Sequence, residues 1–347
     1  MSSTDFRAEG KKKMKRKCDI VVPVYNSPEW LTLCIEAAIV SDRSEAIGQI
    51  LLVDDCSGTE TRELIDRLCM QYERVNCVHN EQNLGFVKSC NRGMSLTKSD
   101  YIMLLNSDCL LADDTTARLI KTLEKYKTAG LISPLSNNAA NLSISIPLNT
   151  NYIQVDRILS YLPDDRYPAC TVVGNCIIIT RGCYETVGGL DEAFGMGYGE
   201  ETDYQFRAAK AGFDALVAGN VYVFHKSQVS FGNSKVLNER KKKNRDLFFT
   251  RWGTAYQNLL SEYEKHDPAK IAECYLNKNA EGIRTCEIDP FTPDFMNRVK
   301  HIDTEQQNSD NSIPGFGVFM AKFKESGFRE FCKKFLAKIG LSGNKSK

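Results

Sequence analysis

Between Cys18 and Leu105, four short runs that are apolar almost from end to end alternate with stretches of helical periodicity. Cys18–Tyr25, Gln49–Val53, Val75–His79 and Tyr101–Leu105 are rich in β-branched residues, as buried strands are. The intervening helices are expected from Pro28 to about Val40, to about Met70, and over Phe86–Leu96. Ser27 is placed to cap the first, with Pro28 at its first position, and Ser57 with Glu60 has the spacing of a capping box for the second. Strands apolar on both sides need cover on both faces, so the pattern dictates an α/β fold with a mostly parallel sheet and helices on each face. Ligands of such sheets gather at the carboxyl ends of the strands. Here those ends carry Pro23-Val-Tyr-Asn26, Asp54-Asp55 and Asn106-Ser-Asp108.

Farther along, Leu131–Asn141 reads as a strand running into an Asn-rich loop, Val172–Thr180 as a buried strand, and Val221–His225 as a last strand. Gly195-Met-Gly-Tyr-Gly199 leads into a helix expected from about Glu201 to Ala211. After Gly232 the chain turns helical and charged, with Arg251-Trp252-Gly253 as its last aromatic anchor, and residues 266–315 show no assignable pattern. Residues 1–17 form a basic arm, expected to be disordered. At the other end Phe328, Phe331, Cys332, Phe335 and Ile339 share one helical face flanked by Arg329, Lys333, Lys334 and Lys338. That composition suits a helix lying on an anionic membrane surface, or equally one packed on the preceding domain or a partner.

Forty-five Lys and Arg against 44 Asp and Glu leave a formal charge of +1, so no global field favours a nucleic-acid partner. No signal peptide opens the chain, and no run approaches the roughly 18 apolar residues that span a bilayer. A cytoplasmic protein is expected, peripheral at the inner face of the plasma membrane if the basic tail binds there. The 13 cysteines contain no Cys-x-x-Cys pair and several sit in apolar runs, which reads as reduced, buried side chains.

The first strand-to-helix turn has neither of the glycine patterns that cradle phosphates with backbone amides. A nucleotide diphosphate bound here would need a cation, and Asp108, just past a buried strand, is placed to hold Mg²⁺ or Mn²⁺; it is equally placed to cap the turn that follows. Asp54 and Asp55 can accept from a base or a ribose, or serve the turn and the next helix. Glu200 and Glu201 open a helix, where the macrodipole favours acids. Their glycine-rich approach, through Gly188, Gly189 and Asp191 to Gly199, also lets a substrate come close to a carboxylate acting as general base. His225, at a strand end, is either structural or a metal ligand.

In order along the chain stand Ile20-Val-Val-Pro-Val-Tyr-Asn26, Val53-Asp-Asp-Cys-Ser57, and Asn80-Glu-Gln-Asn-Leu-Gly-Phe-Val-Lys-Ser-Cys-Asn-Arg-Gly93. They are followed by Leu104-Leu-Asn-Ser-Asp108, Val187-Gly-Gly-Leu-Asp-Glu192 and Gly199-Glu-Glu-Thr-Asp-Tyr-Gln-Phe-Arg207. This series resembles the inverting glycosyltransferases of family 2, and its third motif resembles the rhamnosyltransferase-type branch acting on bacterial surface polysaccharides. The resemblance implies a GT-A type, Rossmann-like domain over residues 18–235, with a nucleotide-binding half at 18–110 and an acceptor half at 111–235. A helical or irregular extension (236–315) and the basic amphipathic tail (316–347) follow.

The resemblance implies a nucleotide-diphosphate sugar donor, a glycan or lipid-linked glycan acceptor, and Mn²⁺ or Mg²⁺. It assigns Pro23, Tyr25 and Asp55 to the nucleobase and ribose, with Asn26, Asp54, Asn83, Gly85, Lys88, Asn91, Asn106 and Ser107 also on the donor side. Asp108 and His225 would hold metal, and Gly188, Gly189 and Asp191 the acceptor loop. Glu201 stands where the family has the Asp base of a Glu-Asp pair, with Glu200 as the alternative base; Asn106 replaces the first Asp of Asp-x-Asp. The competing activities are nucleotidyl transfer that makes a nucleotide sugar, and carbohydrate binding without catalysis.

Overall fold

The computed structural model describes residues 16–147, 150–162, 166–169, 171–226, 235–265 and 267–279. Most of the basic arm, residues 280–315 and the amphipathic tail lie outside the described residues.

The elements run β1 (Cys18–Val24), α1 (Pro28–Ser41), β2 (Ile47–Asp54), α2 (Thr59–Gln71), β3 (Val75–His79), α3 (Phe86–Leu96), β4 (Tyr101–Leu105), β5 (Cys109–Leu110) and α4 (Thr115–Glu124). Then come β6 (Ala129–Ser136), α5 (Tyr152–Leu159), β7 (Arg166–Pro168), β8 (Cys176–Thr180), α6 (Arg181–Val187), α7 (Glu200–Lys210), β9 (Asp214–His225), α8 (Lys235–Tyr263) and α9 (Pro268–Lys278). One sheet takes them in the order β3-β2-β1-β4-β8-β6-β9-β5, with β7 also on β9. The half formed by β3, β2, β1 and β4 is wholly parallel. β8 then runs antiparallel to both β4 and β6, while β6 and β9 pair in parallel.

Successive residues of a strand point to opposite faces, and both faces are filled. Val21, Leu51, Val53, Ile102 and Leu104 enter one core, which α3, α5 and α7 cover. Ile20, Val22, Ile50, Leu52, Met103 and Leu105 enter the other, beneath α1, α2 and α4. This two-sided burial is why the strands show no polar alternation. On the first face α3 lies almost on the sheet: a Cβ on Gly93 would stand 2.2 Å from Val21 Cγ1.

Two expected caps form differently. Ser27 precedes α1 in the left-handed region (φ 66°) and makes no capping bond; the residue capping α2 is Gly58. Instead Ser57 Oγ accepts from Asn26 N at 2.9 Å, and Asn26 Oδ1 accepts from Gly58 N at 3.0 Å. Parallel pairing sets Val24 beside Asp54, so each strand-end loop satisfies its neighbour rather than its own helix. The strand expected from Val172 starts only at Cys176, because Val172 N donates to Gln205 Oε1 and Val173 N to Ser133 Oγ instead of to a ladder. The last strand is longer than expected, its final residues being the end of the twelve-residue β9.

Candidate active site

Asp108 sits in the tight turn from β4 to β5, and β5 pairs Cys109 directly with His225 at the end of β9. That register brings His225 Nε2 to 3.3 Å from Asp108 Oδ1, with side chains 13% and 12% exposed. The pair is thus shielded but reachable. His225 Nδ1 lies 2.8 Å from the Asn138 carbonyl, which can only accept, so this nitrogen carries the proton and Nε2 faces Asp108. Asn137 fixes the same residue from its backbone, its Oδ1 accepting from His225 N and its Nδ2 donating to His225 O, both at 2.9 Å. Burial pulls the His225 pKa down, but the charge and hydrogen bond of Asp108, with the Asn138 carbonyl, outweigh it and leave the imidazole above its ordinary value.

These groups fit a divalent cation. Asp108, Cys109 and His225 each aim a ligand atom into a space where all lie within 4.8 Å of one another. A carboxylate oxygen and an imidazole nitrogen suit Mn²⁺ or Mg²⁺, Mn²⁺ better for the nitrogen. Cys109 is the poorer donor, because burial keeps its thiol well above the usual range and it donates to Asn175 O at 3.3 Å. Beside them Asn106 Oδ1 is buried with no hydrogen-bond partner. An orphaned acceptor next to two metal ligands is the expected signature of a site completed by something bound.

The second cluster opens α7. Glu200 is buried, its Oε2 without a partner, and Glu201 Oε2 accepts from Gly199 N at 3.3 Å. Burial and the neighbouring Glu201 carboxylate push Glu200 well above the usual carboxylate range. Burial also raises Glu201, against the pull of its own N–H, the Glu200 carboxyl and the amides of Gly199 and Gly174. Two carboxyls this close in a buried site do not both carry charge, so the pair holds a proton between them near neutral pH.

One short turn joins the two clusters. Asn175 O accepts from Asn106 N at 2.9 Å and from the Cys109 thiol. Its neighbour Gly174 faces the acids: a Cβ there would lie 3.6 Å from Glu201 Cδ and 3.7 Å from Glu200 Oε1. The Asn106-Ser107-Asp108 turn and the carboxyl pair therefore flank the same peptide.

The donor-side expectations divide. Tyr25 is exposed at the end of β1, with Pro23 half-buried beside Val53 and Asn26 exposed. Ser107 is buried next to Asp108. Asp54 is turned inward: its side chain is fully buried, accepting from His79 Nδ1 at 2.8 Å and Ser57 N at 2.9 Å, with Arg62 at 3.5 Å. Those partners occupy the carboxylate that the sequence had offered to the donor. Asp55 is largely occupied too, since it takes Asn80 Nδ2 (2.8 Å), Leu84 N (2.7 Å) and Gly85 N (2.8 Å). It organises the 80–85 loop, and its free accepting capacity is all that remains for a base or ribose. Gly85 (φ 86°) needs its missing side chain, since a Cβ would meet Met196 Sδ at 2.6 Å.

Asn91, also expected at the donor, is a clamp: it donates to Leu190 O at 2.9 Å and accepts from Leu190 N at 2.8 Å. Gly189 is the residue that lets it in, as a Cβ there would stand 2.6 Å from Asn91 Oδ1. Lys88 is exposed and pairs with Glu192 at 3.8 Å, Asn83 is exposed, and Gly188 (φ 84°) ends α6. Asp191 caps a short turn and pairs with Arg251 at 2.6 Å. The long motif from Asn80 to Gly93 thus mainly supports the site.

Sequence reasoning missed three contributors. Asn137 and Asn138 were visible only as an Asn-rich loop, and Gly174-Asn175 only as part of the strand expected over Val172–Thr180. Asn244, on α8, donates to Phe194 O and Gly197 O, each at 2.7 Å, and so holds the glycine loop ahead of Glu200. A single Asn in a charged helix carries no such signal. α8 itself docks through Asp203, which is fully buried and accepts from Arg207 (2.9 Å), Arg251 (3.1 Å) and Trp252 Nε1 (2.8 Å).

Comparison with known proteins matches residues 19–158, about two-fifths of the chain, to the model of glycosyl transferase family 2. Over those residues the chain is similar to family 2 glycosyltransferases. Glycosyltransferase GlyG of Streptococcus pneumoniae is 31% identical over 112 residues, which are 32% of this chain and 36% of GlyG. A poly(ribitol-phosphate) beta-glucosyltransferase of Bacillus spizizenii is 25% identical over 103 residues, 29% of this chain and 16% of that protein. The chain thus matches about a third or less of the length of these two relatives. A mannosyltransferase of Pyrobaculum calidifontis, solved with GDP-Man and Mn²⁺, superposes with a TM-score of 0.53 at 13% identity, covering 86% of this chain and 89% of that one. At that identity the likeness is one of fold, and the glycosyltransferase domain has the GT-A type, mostly parallel α/β architecture.

Proposed function

We propose that this glycosyltransferase moves a sugar from a nucleotide-diphosphate sugar to a hydroxyl of a glycan or lipid-linked glycan, with inversion, in the synthesis of a bacterial surface polysaccharide. The observation that carries the reading is the Gly174-Asn175 turn, which sets a carboxylate–imidazole pair and a proton-sharing carboxyl pair on either side of one peptide. A divalent cation held by Asp108 and His225 would supply the charge that the diphosphate needs. Glu201 is the general base: it is the ionised member of the pair, and its raised pKa makes it a stronger base than an exposed carboxylate. Glu200 keeps the shared proton, and Gly174 leaves room for the acceptor hydroxyl. A single attack, with one base and no protein nucleophile, inverts the anomeric carbon.

Surface-polymer synthesis is supported by the name of the poly(ribitol-phosphate) relative. The rhamnosyltransferase-like branch rests on the Asn80–Gly93 motif, whose residues are spent on Asp55 and Leu190, so donor choice must be read by assay. No described helix is long and apolar enough to cross a membrane. The basic tail would bring the enzyme to anionic lipid, beside a lipid-linked acceptor. The test is a panel of hexosyl and deoxyhexosyl nucleotide donors, scored for nucleoside diphosphate release with Mn²⁺ and Mg²⁺. Release with one donor, lost on chelation and in Asp108→Asn, is expected. Pyrophosphate formed from a nucleoside triphosphate, or glycan binding unaffected by Asp108→Asn with no turnover of any donor, would overturn the reading.

A further inference from the structure

A second group of ligating side chains lies at the opposite edge of the parallel half. Asp66 and Cys69 are three apart on α2 and so share a helix face, while Cys77 and His79 are two apart on β3 and share a strand face. The two faces meet. His79 Nε2 is 3.4 Å from Asp66 Oδ1 and 3.6 Å from Cys77 Sγ, and the ligand atoms of Asp66, Cys77 and His79 all lie within 4.8 Å of one another. Cys69 stands beside Cys77 on the facing helix but outside that set of three, and would become a fourth donor by turning its side chain inward.

We infer that Asp66, Cys69, Cys77 and His79 form a binding site for a zinc-class divalent cation, separate from the Asp108–His225 pair. Zinc binds sulfur, nitrogen and oxygen at about 2.0–2.3 Å, and a tetrahedron with such bonds has edges of about 3.3–3.8 Å. The separations of 3.4 and 3.6 Å already match those edges. Two thiols with an imidazole and one carboxylate are a softer set than Mg²⁺ or Ca²⁺ selects.

The outer contacts agree. His79 Nδ1 donates to the fully buried Asp54 carboxylate at 2.8 Å, which fixes the tautomer and turns Nε2 toward the cluster. A carboxylate behind a ligating imidazole is the usual support of a metal-bound histidine. The Asp66 side chain is 59% exposed and leaves an entry path. The bound ion would cross-link α2 to the edge strand and stiffen His79-Asn80, from which the Asp55-organised loop begins.

The test uses metal-free, full-length protein titrated with Co²⁺ as an optical stand-in for Zn²⁺. The expected result is a thiolate-to-cobalt charge-transfer band saturating at one ion per chain and bleached by Zn²⁺. It should be lost in Cys77→Ser, bound about tenfold or more weakly in Asp66→Asn, whose exposed side chain leaves folding undisturbed, and unchanged in Cys109→Ser and Asp108→Asn. Absence of the band in the wild type overturns the inference. So does a band that survives Cys77→Ser and disappears in Cys109→Ser, or a Cys69–Cys77 disulfide that persists under reductant and Zn²⁺. Because the readout is optical and none of the four residues belongs to the proposed catalytic machinery, failure here leaves the glycosyltransferase reading intact.

Discussion

Replacing Glu201 by Gln isolates basicity from shape. The amide of Glu201→Gln has the length and volume of the acid, its oxygen can still accept from Gly199 N, and its contact with Gly174 is kept. Glu200 can still donate its proton to that oxygen, so the pair loses one charge and no hydrogen bond. What disappears is the capacity to take a proton from the acceptor hydroxyl. Removing a positioned general base costs about 10²–10⁴ in rate, which at 1.36 kcal/mol per decade is about 3–5.5 kcal/mol of barrier. The loss should fall on kcat, with KM for the donor little changed, since the substitution leaves the Asp108–His225 side untouched. Glu200→Gln should lose less than about tenfold, because a neutral amide also donates to Glu201. Steady-state release of nucleoside diphosphate against both substrates measures the pair. A Glu201→Gln enzyme within tenfold of wild type, or a larger loss in Glu200→Gln, would show that the proton sits on the other carboxyl or that neither acts as base.

Three further outcomes are expected. Asn137→Ala removes the acceptor of His225 N and one of the two donors to His225 O, the other being Asn138 Nδ2, and should weaken Mn²⁺ activation about 10–100-fold with the maximal rate largely restored at high metal, whereas Asp108→Asn should not be rescued; a Mn²⁺ titration of rate separates them. Glu200 is raised above an unfolded carboxylate, so it binds more protons folded than unfolded, and its contribution to stability is present below the ordinary range and lost as pH rises through its folded value. Glu200→Gln should therefore be the more stable protein at neutral pH, with the margin shrinking toward pH about 4.5, as melting temperatures across pH would show; an unchanged margin would mean that the carboxyl is not buried as described. Asp203→Ala removes the shared acceptor of Arg207, Arg251 and Trp252 and should cost about 3–5 kcal/mol, read by urea unfolding together with faster proteolysis of α8.

The parallel half was legible because its signals are local: Phe86–Leu96 was bounded correctly, and Val75–His79 and Tyr101–Leu105 stood out as apolar runs between polar loops. Asp108 and His225 could be picked out by strand-end position, but that they meet depends on β5 pairing with β9 more than a hundred residues later. Which of Asp54 and Asp55 serves the turn was left open by the sequence. Only the register of β2 beside β1 and β3 shows that one turns to His79 while the other collects loop amides. The cysteines were read as one population. Cys18, Cys34, Cys90, Cys109, Cys176 and Cys183 are indeed buried and free, but Cys69 and Cys77 meet across a helix and a strand, which no spacing within one element could reveal.

The peptide between Gly174 and Asn175 carries no reacting group, yet in the proposed reaction it would set the distance between donor and base. Donor side and base side are referenced to the same few atoms, so the gap between them is a dimension of the scaffold rather than of two independent loops. One residue added at this point would shift both halves relative to each other and silence every donor at once.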